Sequence, residues 1–518
     1  MKKLVSLLLI LTLALTLGGV ASAEKKWEGH TIVFASWGDG AEKAATEKVI
    51  AAFEEATGCK VNYINISSDY DTKVTAMVAA GETIDCAQLE SGSIAYPMAA
   101  EGLLEPLDSY IEDSGINMDD YVAASCYYDD NGNLIAWSGC IELMCLFYSR
   151  DVFDEAGLPY PPSDPDEAWT WDEFVDVATK LTKDANGLTP ADEGFDPEHI
   201  VRYGVNPDIW WPVWGSFIAS NGGSMVDSEG NFTMNQPEAV EALQALIDLK
   251  LVDHVAPSVT ASQSLPASDV ALLTGTYGMV IGGQWSALTY AEAGVNFGMA
   301  SLPKFGDKVV SVCTNGMYCL FSNSQEKEAS WDFLQYLNDP SIDLTLFKNG
   351  NRMPTSLAWL TEPDKLEQWV GENNPARPEG YEGIIKMLIN NSVAPLTGQI
   401  IGFPDLINLV NPAIDEILYG NMTAQEAMDM VAQQVQDSGL EIRLRGRGGD
   451  VTWTHYSASL IHDRVPGAER VVHQFLDITA RRRAEQELVR QAEELTRTNA
   501  ELQELDRLKS TFVATVSH

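Results

Sequence analysis

From Thr31 onward the chain alternates short apolar runs with longer amphipathic ones. Thr31-Ile32-Val33-Phe34-Ala35 is a run of strand formers. The loop Ser36-Trp37-Gly38-Asp39-Gly40 follows, and Val49, Ile50 and Phe53 then recur at helical spacing. Strand, glycine loop and helix in that order predict the opening of an α/β domain, whose ligand loops lie at the carboxyl ends of its strands. Further strands are predicted at Lys60–Ile66, Thr83–Leu89, Tyr203–Val205 and Gly278–Ile281, with helical patterns between. Asn131-Gly132 and Glu229-Gly230 read as hairpin turns. The last stretch has another rhythm. Glu441–Arg445, Val451–Leu460 and Val471–Ile478 alternate as three strands, and Ala480 to His518 reads as one long helix. Leu488, Leu495 and Leu502 repeat every seven residues there, with Ala492 and Asn499 on the seam, which is coiled-coil spacing.

Composition divides the chain at the same place. Residues 1–437 hold 21 Lys+Arg against 63 Asp+Glu, so the net charge of −42 lies there; residues 438–518 hold 12 of each. Only Arg150, Arg202, Arg352 and Arg377 precede the join, and all seven cysteines do. Two unrelated pieces joined near residue 437 are the simplest reading. The amino terminus adds a signal peptide, Met1 to Ala23: Lys2 and Lys3, the apolar run Leu4 to Leu17, and the small residues Ala21-Ser22-Ala23 for cleavage. No Cys stands at that cleavage point and no other run reaches the roughly 18 apolar residues of a membrane span. An exported protein, periplasmic or extracellular and soluble after cleavage, is implied. The acidity disfavours nucleic acid as a partner. The cysteines lack metal-type spacing; Cys140 and Cys145 either pair after export or stay buried and free. No metal site and no cofactor are expected. The run Asp129-Asp130-Asn131-Gly132-Asn133 has the look of a calcium loop, but Cys140 stands where its distal Glu belongs, so it reads as a turn. Catalysis is poorly supported too. Neither a Gly-x-Ser-x-Gly elbow nor His-Glu-x-x-His occurs, and only His30, His199 and His254 serve the acidic part.

Several blocks carry a family resemblance over about 24–437. In order they are Phe53-Glu54-Glu55-Ala56-Thr57-Gly58, Asp69-Tyr70-Asp71-Thr72-Lys73, Glu101-Gly102-Leu103-Leu104-Glu105-Pro106-Leu107, and Phe147-Tyr148-Ser149-Arg150-Asp151-Val152-Phe153. Trp169-Thr170-Trp171-Asp172-Glu173-Phe174, Asn221-Gly222-Gly223, Gly282-Gly283-Gln284-Trp285 and Glu328-Ala329-Ser330-Trp331-Asp332-Phe333-Leu334 continue the series. This part resembles the extracellular (family 1) solute-binding proteins of ABC sugar importers. The resemblance implies a two-lobe α/β periplasmic binding protein fold with a hinge, closing on its ligand by rigid-body motion. The first lobe would span about 28–140 and 282–322, the second about 143–281 and 325–436, with crossings near Gly139, Gly282 and Asn323. It also implies a mono- or oligosaccharide as ligand and the membrane subunits of an importer as partner.

Sugars present apolar C–H faces and rims of hydroxyls, so a receptor needs aromatic plates and planar polar groups. Trp37 after the first strand, Trp137 near a crossover, Trp211 and Trp214 in a cluster with Trp210, and Trp285 after Gly282-Gly283 are the candidate plates. Trp285 is the first choice, because the glycines allow close backbone approach. Packing in the core is the competing role for each; Trp331 and Trp171 are assigned to it. Asp39, Glu90, Asn315 and Arg352 are the candidate rim, Arg352 having a salt bridge as its alternative. Phe403, in Gly398–Pro404, lies roughly where the family places another ligand aromatic.

The tail resembles the end of a PAS sensor domain running into a histidine kinase dimerisation helix. Phe475-Leu476-Asp477-Ile478-Thr479 and Asp506-Arg507-Leu508-Lys509-Ser510-Thr511-Phe512-Val513-Ala514-Thr515-Val516-Ser517-His518 carry the likeness. By it, 438–479 is a partial PAS fragment of three strands, 480–518 a coiled-coil-type helix able to dimerise, and His518 the phosphoacceptor-like residue. With no ATP-binding domain, no kinase activity is expected. The join reads either as an artificial or assembly-derived fusion, the preferred view, or as a receptor that lost its membrane helices. Two other functions stand beside the sugar receptor: the sensor part of a histidine kinase, and a secreted carbohydrate-active enzyme. A peptide or polyol remains an alternative ligand.

Overall fold

The computed structural model describes residues 25–38, 40–90, 94–129, 131–227, 229–371, 373–440, 442–444, 454–462 and 469–477. Asp39, the leader and the whole of 478–518, including the heptad segment and His518, lie outside the described residues.

The first strand, Thr31–Ser36, buries Ile32, Phe34, Ala35 and Ser36, and pairs parallel with Lys60–Asn65 on one side and Cys86–Leu89 on the other. The helix between, Gly40–Thr57, buries Ala45, Val49, Ile50, Phe53 and Thr57, a stripe at spacings of four, one, three and four that faces the sheet. Met317–Leu320 adds antiparallel to Cys86–Leu89 and is itself flanked by Leu134–Trp137. This sheet belongs to one compact unit, residues 1–127, 134–141 and 315–374.

A second unit comprises 128–133, 142–314 and 375–518. Its sheet is built on the long strand Cys140–Ser149, which pairs antiparallel with Tyr277–Gly283 through Met144 opposite Gly283. Ile200–Asn206 pairs parallel with Tyr277–Gly283. The helix Trp171–Leu181 starts on a capping box between Thr170 and Glu173 and buries Phe174, Val177, Ala178 and Leu181. It lies so close on the sheet that a Cβ at Gly204 would sit 2.0 Å from the Ala178 carbonyl oxygen.

The predicted lobe limits need correction. The chain passes between units at 127/128, 133/134, 141/142, 314/315 and 374/375, so Gly282 is no crossing and 282–314 belong to the second unit. The reason is pairing: Phe297–Ala300 is antiparallel to Leu146–Ser149, and Ser311–Thr314 meets the same strand at Glu142–Leu143. Residues 325–374, expected in the second lobe, belong to the first unit, where Met353 pairs with Ile141.

Both predicted turns form. Gly132 and Gly230 take positive φ, at 87° and 85°. The Asp129 carboxylate accepts from the backbone of Asn131 and Asn133 and from the Asn133 amide, so the calcium-like run satisfies itself as a turn. None of the seven cysteines forms a disulfide. Cys140 and Cys145 share one strand, and five residues along it place their side chains on opposite faces, ~16 Å apart, far beyond disulfide reach.

Past the expected join the helix Ala424–Ser438 ends on Gly439 in the left-handed region. Ile442 is buried, and Arg443–Leu444 pairs with Ile400–Ile401. The first predicted tail strand therefore completes the second unit instead of joining the later strands. Those form their own antiparallel hairpin, Thr454–His462 with Glu469–Asp477.

Candidate ligand-binding site

In the second unit two neighbouring strands end close to aromatic residues. Ile200–Asn206 ends at Asn206, and Trp210 then holds an extended conformation as N-cap of the helix Trp211–Ser220, with Pro212 in its first turn. Its parallel neighbour Tyr277–Gly283 ends two residues before Trp285, itself the N-cap of the helix Ser286–Glu292. Trp285 meets Trp210 edge to face at 6.3 Å between ring centroids. Trp210 meets Trp211 at 5.6 Å, and Trp211 meets Phe403 at 5.7 Å. Edge-to-face contacts satisfy the ring quadrupoles. Trp285, Trp210 and Trp211 stay half-buried, leaving ring surface at the carboxyl ends of two adjacent parallel strands.

Glycine works differently here from the expectation. A Cβ at Gly283 would fall 2.0 Å from the Trp285 Cη2, whereas at Gly282 it would meet nothing nearer than 3.8 Å. The missing side chain at Gly283 lets the indole of Trp285 fold back over its own strand; it sets the ring's position rather than making room for a ligand.

Two other predicted plates are corrected. Trp214 is 1% exposed, on the turn after Trp211 of a helix held to the sheet by Ser216 and Ser220, whose hydroxyls accept from the backbone of Val312 and Val310. Trp137 is 3% exposed, packed edge to face on Tyr121 at 4.8 Å and beside Trp331 at 6.4 Å. Both are core residues. Phe403, 4% exposed, supports Trp211 from behind and presents no plate of its own. Trp331 and Trp171 are packing residues as expected: the Trp331 indole donates to Ser114, and Trp171 packs on Phe174, Phe217 and Phe305.

In the first unit Trp37 is half-buried, edge to face with Tyr70 at 5.3 Å. A Cβ at Gly316 would lie 2.3 Å from the Trp37 ring and 2.7 Å from the Gln88 Nε2, so both side chains close on that glycine. Around it three polar groups are shielded from solvent without a hydrogen-bond partner: the Tyr70 hydroxyl, the Gln88 Nε2 and both amide atoms of Asn315. Each such group ordinarily costs on the order of 1–3 kcal/mol, which makes a cluster of them a mark of a site awaiting partners. Burial also pushes the Tyr70 hydroxyl pKa up. Asn315, next to Gly316, is one of these shielded groups. Glu90 is half-buried at the end of Cys86–Leu89.

Arg352 does not serve the expected rim. Its guanidinium is buried, donating to the Glu42 carboxylate at 2.7 Å and to the Cys140 sulfur at 3.1 Å. The salt-bridge alternative holds. Sequence reading weighed Trp210 only within the cluster Trp210, Trp211 and Trp214, and missed Tyr70 and Gln88 as site candidates. Trp210 was visible as a neighbour of Trp211, but the choice between adjacent tryptophans depends on which one faces the helix's packed side. Gln88 had a signal of its own: a polar amide inside a fully buried strand.

Among the described residues His30 pairs with Glu326 and His199 with Asp196, both on the surface. Among the described residues no cluster of His, Cys, Asp and Glu is placed to hold a metal ion, and no helix is long and apolar enough to cross a membrane.

Residues 37–342 match the bacterial extracellular solute-binding protein family, well over half of the chain. The chain belongs to that family. It is an extracellular solute-binding protein rather than an enzyme. Among its relatives, the maltotriose-binding protein of Pyrococcus abyssi is 22% identical over 277 residues, 51% of this chain and 53% of that protein. A Sinorhizobium fredii protein named as a probable amino-acid ABC transporter periplasmic-binding protein is 25% identical over 390 residues, 72% of this chain and 83% of that one. Among solved structures, the ABC substrate-binding protein of Listeria monocytogenes in complex with cycloalternan superposes with a TM-score of 0.65 at 21% identity, covering 79% of this chain and 98% of that one. That likeness gives the two-lobe mixed α/β fold of periplasmic binding proteins.

Proposed function

We propose that this solute-binding protein is an exported receptor for a carbohydrate, which it delivers to the membrane subunits of an ABC importer. The observation that carries the reading is the row Trp285, Trp210 and Trp211, three half-buried indoles at strand ends with ring surface left open. Indole faces match the C–H faces of pyranose rings, and the shielded amides and hydroxyl about Trp37 match hydroxyl rims. Sugar-named proteins among the relatives and neighbours point the same way.

An amino-acid ligand, suggested by one relative's name, is less well served. Its carboxylate is best held by the fork of an arginine. The four arginines of the acidic part are otherwise engaged: Arg352 with Glu42, Arg202 with Glu155, Arg377 over the Tyr381 ring and Arg150 over the Tyr160 ring. The tail beyond Leu444, with its PAS-like and kinase-like resemblance, enters this proposal as an appendage without activity of its own.

Calorimetric titration of the purified chain with sugars, polyols, amino acids and short peptides tests the reading. Saturable binding of a sugar is expected, weakened at least ~30-fold, the equivalent of about 2 kcal/mol, in Trp285→Ala and in Trp210→Ala. Binding confined to an amino acid or peptide would overturn it.

A further inference from the structure

Resting on the receptor reading and its row of indoles, we propose that residues 442–444, just past the compositional break, are a positioning strand of the ligand site. They hold the stretch 396–403 in place and, through Phe403, fix the indole of Trp211.

That stretch grips the helix Trp211–Ser220 at two points. Leu396 opens the helical turn Leu396–Gln399 and packs where the longer helix has no side chain: a Cβ at Gly215 would lie 3.0 Å from the Leu396 Cδ1. At the other end of the stretch the Phe403 ring, 4% exposed, meets Trp211 edge to face at 5.7 Å. Trp211 and Gly215 stand one helical turn apart, so both contacts fall on one face of the helix.

Ile400 and Ile401 lie between the two contacts and carry the pairing. Leu444 stands opposite Ile400 and Arg443 opposite Ile401, in a sheet of these two strands. Ile400 is 2% exposed and Ile442 4%, so the pair is set into the body of the unit. A buried backbone group keeps its partner or moves to find water. Without Arg443–Leu444 the main chain at Ile400–Ile401 loses its partner strand. Gly402 follows at φ 79° and caps the helix that begins with Phe403, so the course of Phe403 is set one residue after the pairing. Trp211 is half-buried; it meets Trp210 within the row and Phe403 outside it. An open plate is held by what backs it, and Phe403 is that backing. Charge puts residues 442–444 with the tail; pairing puts them with the site.

The experiment uses the whole chain. Calorimetry gives dissociation constants for maltotriose, cellotriose, xylotriose and mannotriose, and for glutamate, leucine and lysine. The tightest-binding sugar is then titrated into the wild type, Arg443→Pro with Leu444→Pro, Trp211→Ala, and the three changes combined. The prolines remove both backbone donors of the strand. Urea unfolding establishes that each protein is folded at the titration temperature, where a strand of purely structural role leaves the constant unmoved. The prolines should weaken binding roughly tenfold in the wild type and less than about twofold once Trp211 is alanine, because the plate they position is gone. Should the proline variant fail to unfold cooperatively, Ile442→Ala, which removes the buried anchor and keeps the pairing groups, goes through the same cycle. An unchanged constant in the folded variant overturns the positioning role and leaves the sugar receptor standing. A loss of equal size with and without Trp211 overturns it too, since the strand then acts by another route. If only an amino acid binds, the carbohydrate reading falls, and the same cycle run with that amino acid decides the strand. Binding of none of these probes overturns both.

Discussion

Lys250 carries its charge where water is scarce, and the cost should be measurable. Its pKa falls from 10.5 to about 8 on folding, chiefly through burial, with the negative charge of Asp208 opposing the fall. Below pH 8 the ammonium is charged in both folded and unfolded chains, so its desolvation weighs fully against the native state. Between about 8 and 10.5 the unfolded chain binds the additional proton, and stability rises with pH as the penalty is relieved. Lys250→Met should therefore stabilise the protein by ~1–2 kcal/mol at pH 7, with the gain fading toward pH 10.5, as followed by urea unfolding across that range. Arg352 makes the opposite case. Its partner Glu42 retains about a quarter of its side-chain exposure, so Arg352→Ala leaves a charge that water reaches only in part. A loss of ~2–4 kcal/mol is expected, with ligand affinity unchanged wherever the variant remains folded. Reduced affinity at full stability would restore Arg352 to the rim on which sequence reasoning first put it.

At the scale of elements, two glycines set how closely backbone and rings approach. Gly204 lies against the Ala178 carbonyl, and a methyl there has backbone in its way rather than a flexible side chain. Gly204→Ala should force the helix Trp171–Leu181 off its strand and destabilise by about 2 kcal/mol or more in chemical denaturation. Gly283→Ala meets the Trp285 ring instead, which can swing aside. The expected result is a displaced indole, at least tenfold weaker sugar binding and a smaller loss of stability than at Gly204. These consequences follow from packing distances that periodicity does not contain. Strand and helix positions were largely legible: Thr31–Ser36, Lys60–Asn65 and the buried stripe of Gly40–Thr57 lie where alternation and helical spacing put them. Which tryptophan of the 210–214 cluster stays open was not, because Trp211 and Trp214 are both apolar and only the direction of the packed helix face separates them.

For the whole molecule, the boundary of the solute-binding body matters most. The charge break at 437 is real, yet Ile442 is buried at 4% exposure and Arg443–Leu444 pairs with Ile400–Ile401. A chain ending after 437 should unfold at ~1–3 kcal/mol lower stability than one ending after 444, since a buried isoleucine contributes on the order of 2 kcal/mol. Equal stabilities would return the boundary to the compositional break. By itself the sequence determined the family, through ordered blocks such as Gly282-Gly283-Gln284-Trp285, and the α/β alternation, because both are written in local residue order. Tertiary structure decided the unit limits, the separation of Trp285, Trp210 and Trp211 from the buried Trp137 and Trp214, and the engagement of Arg352 with Glu42. Each of these depends on contacts between residues far apart in the chain, 310 positions in the case of Arg352 and Glu42, and pairing at that range leaves no periodic trace in the sequence.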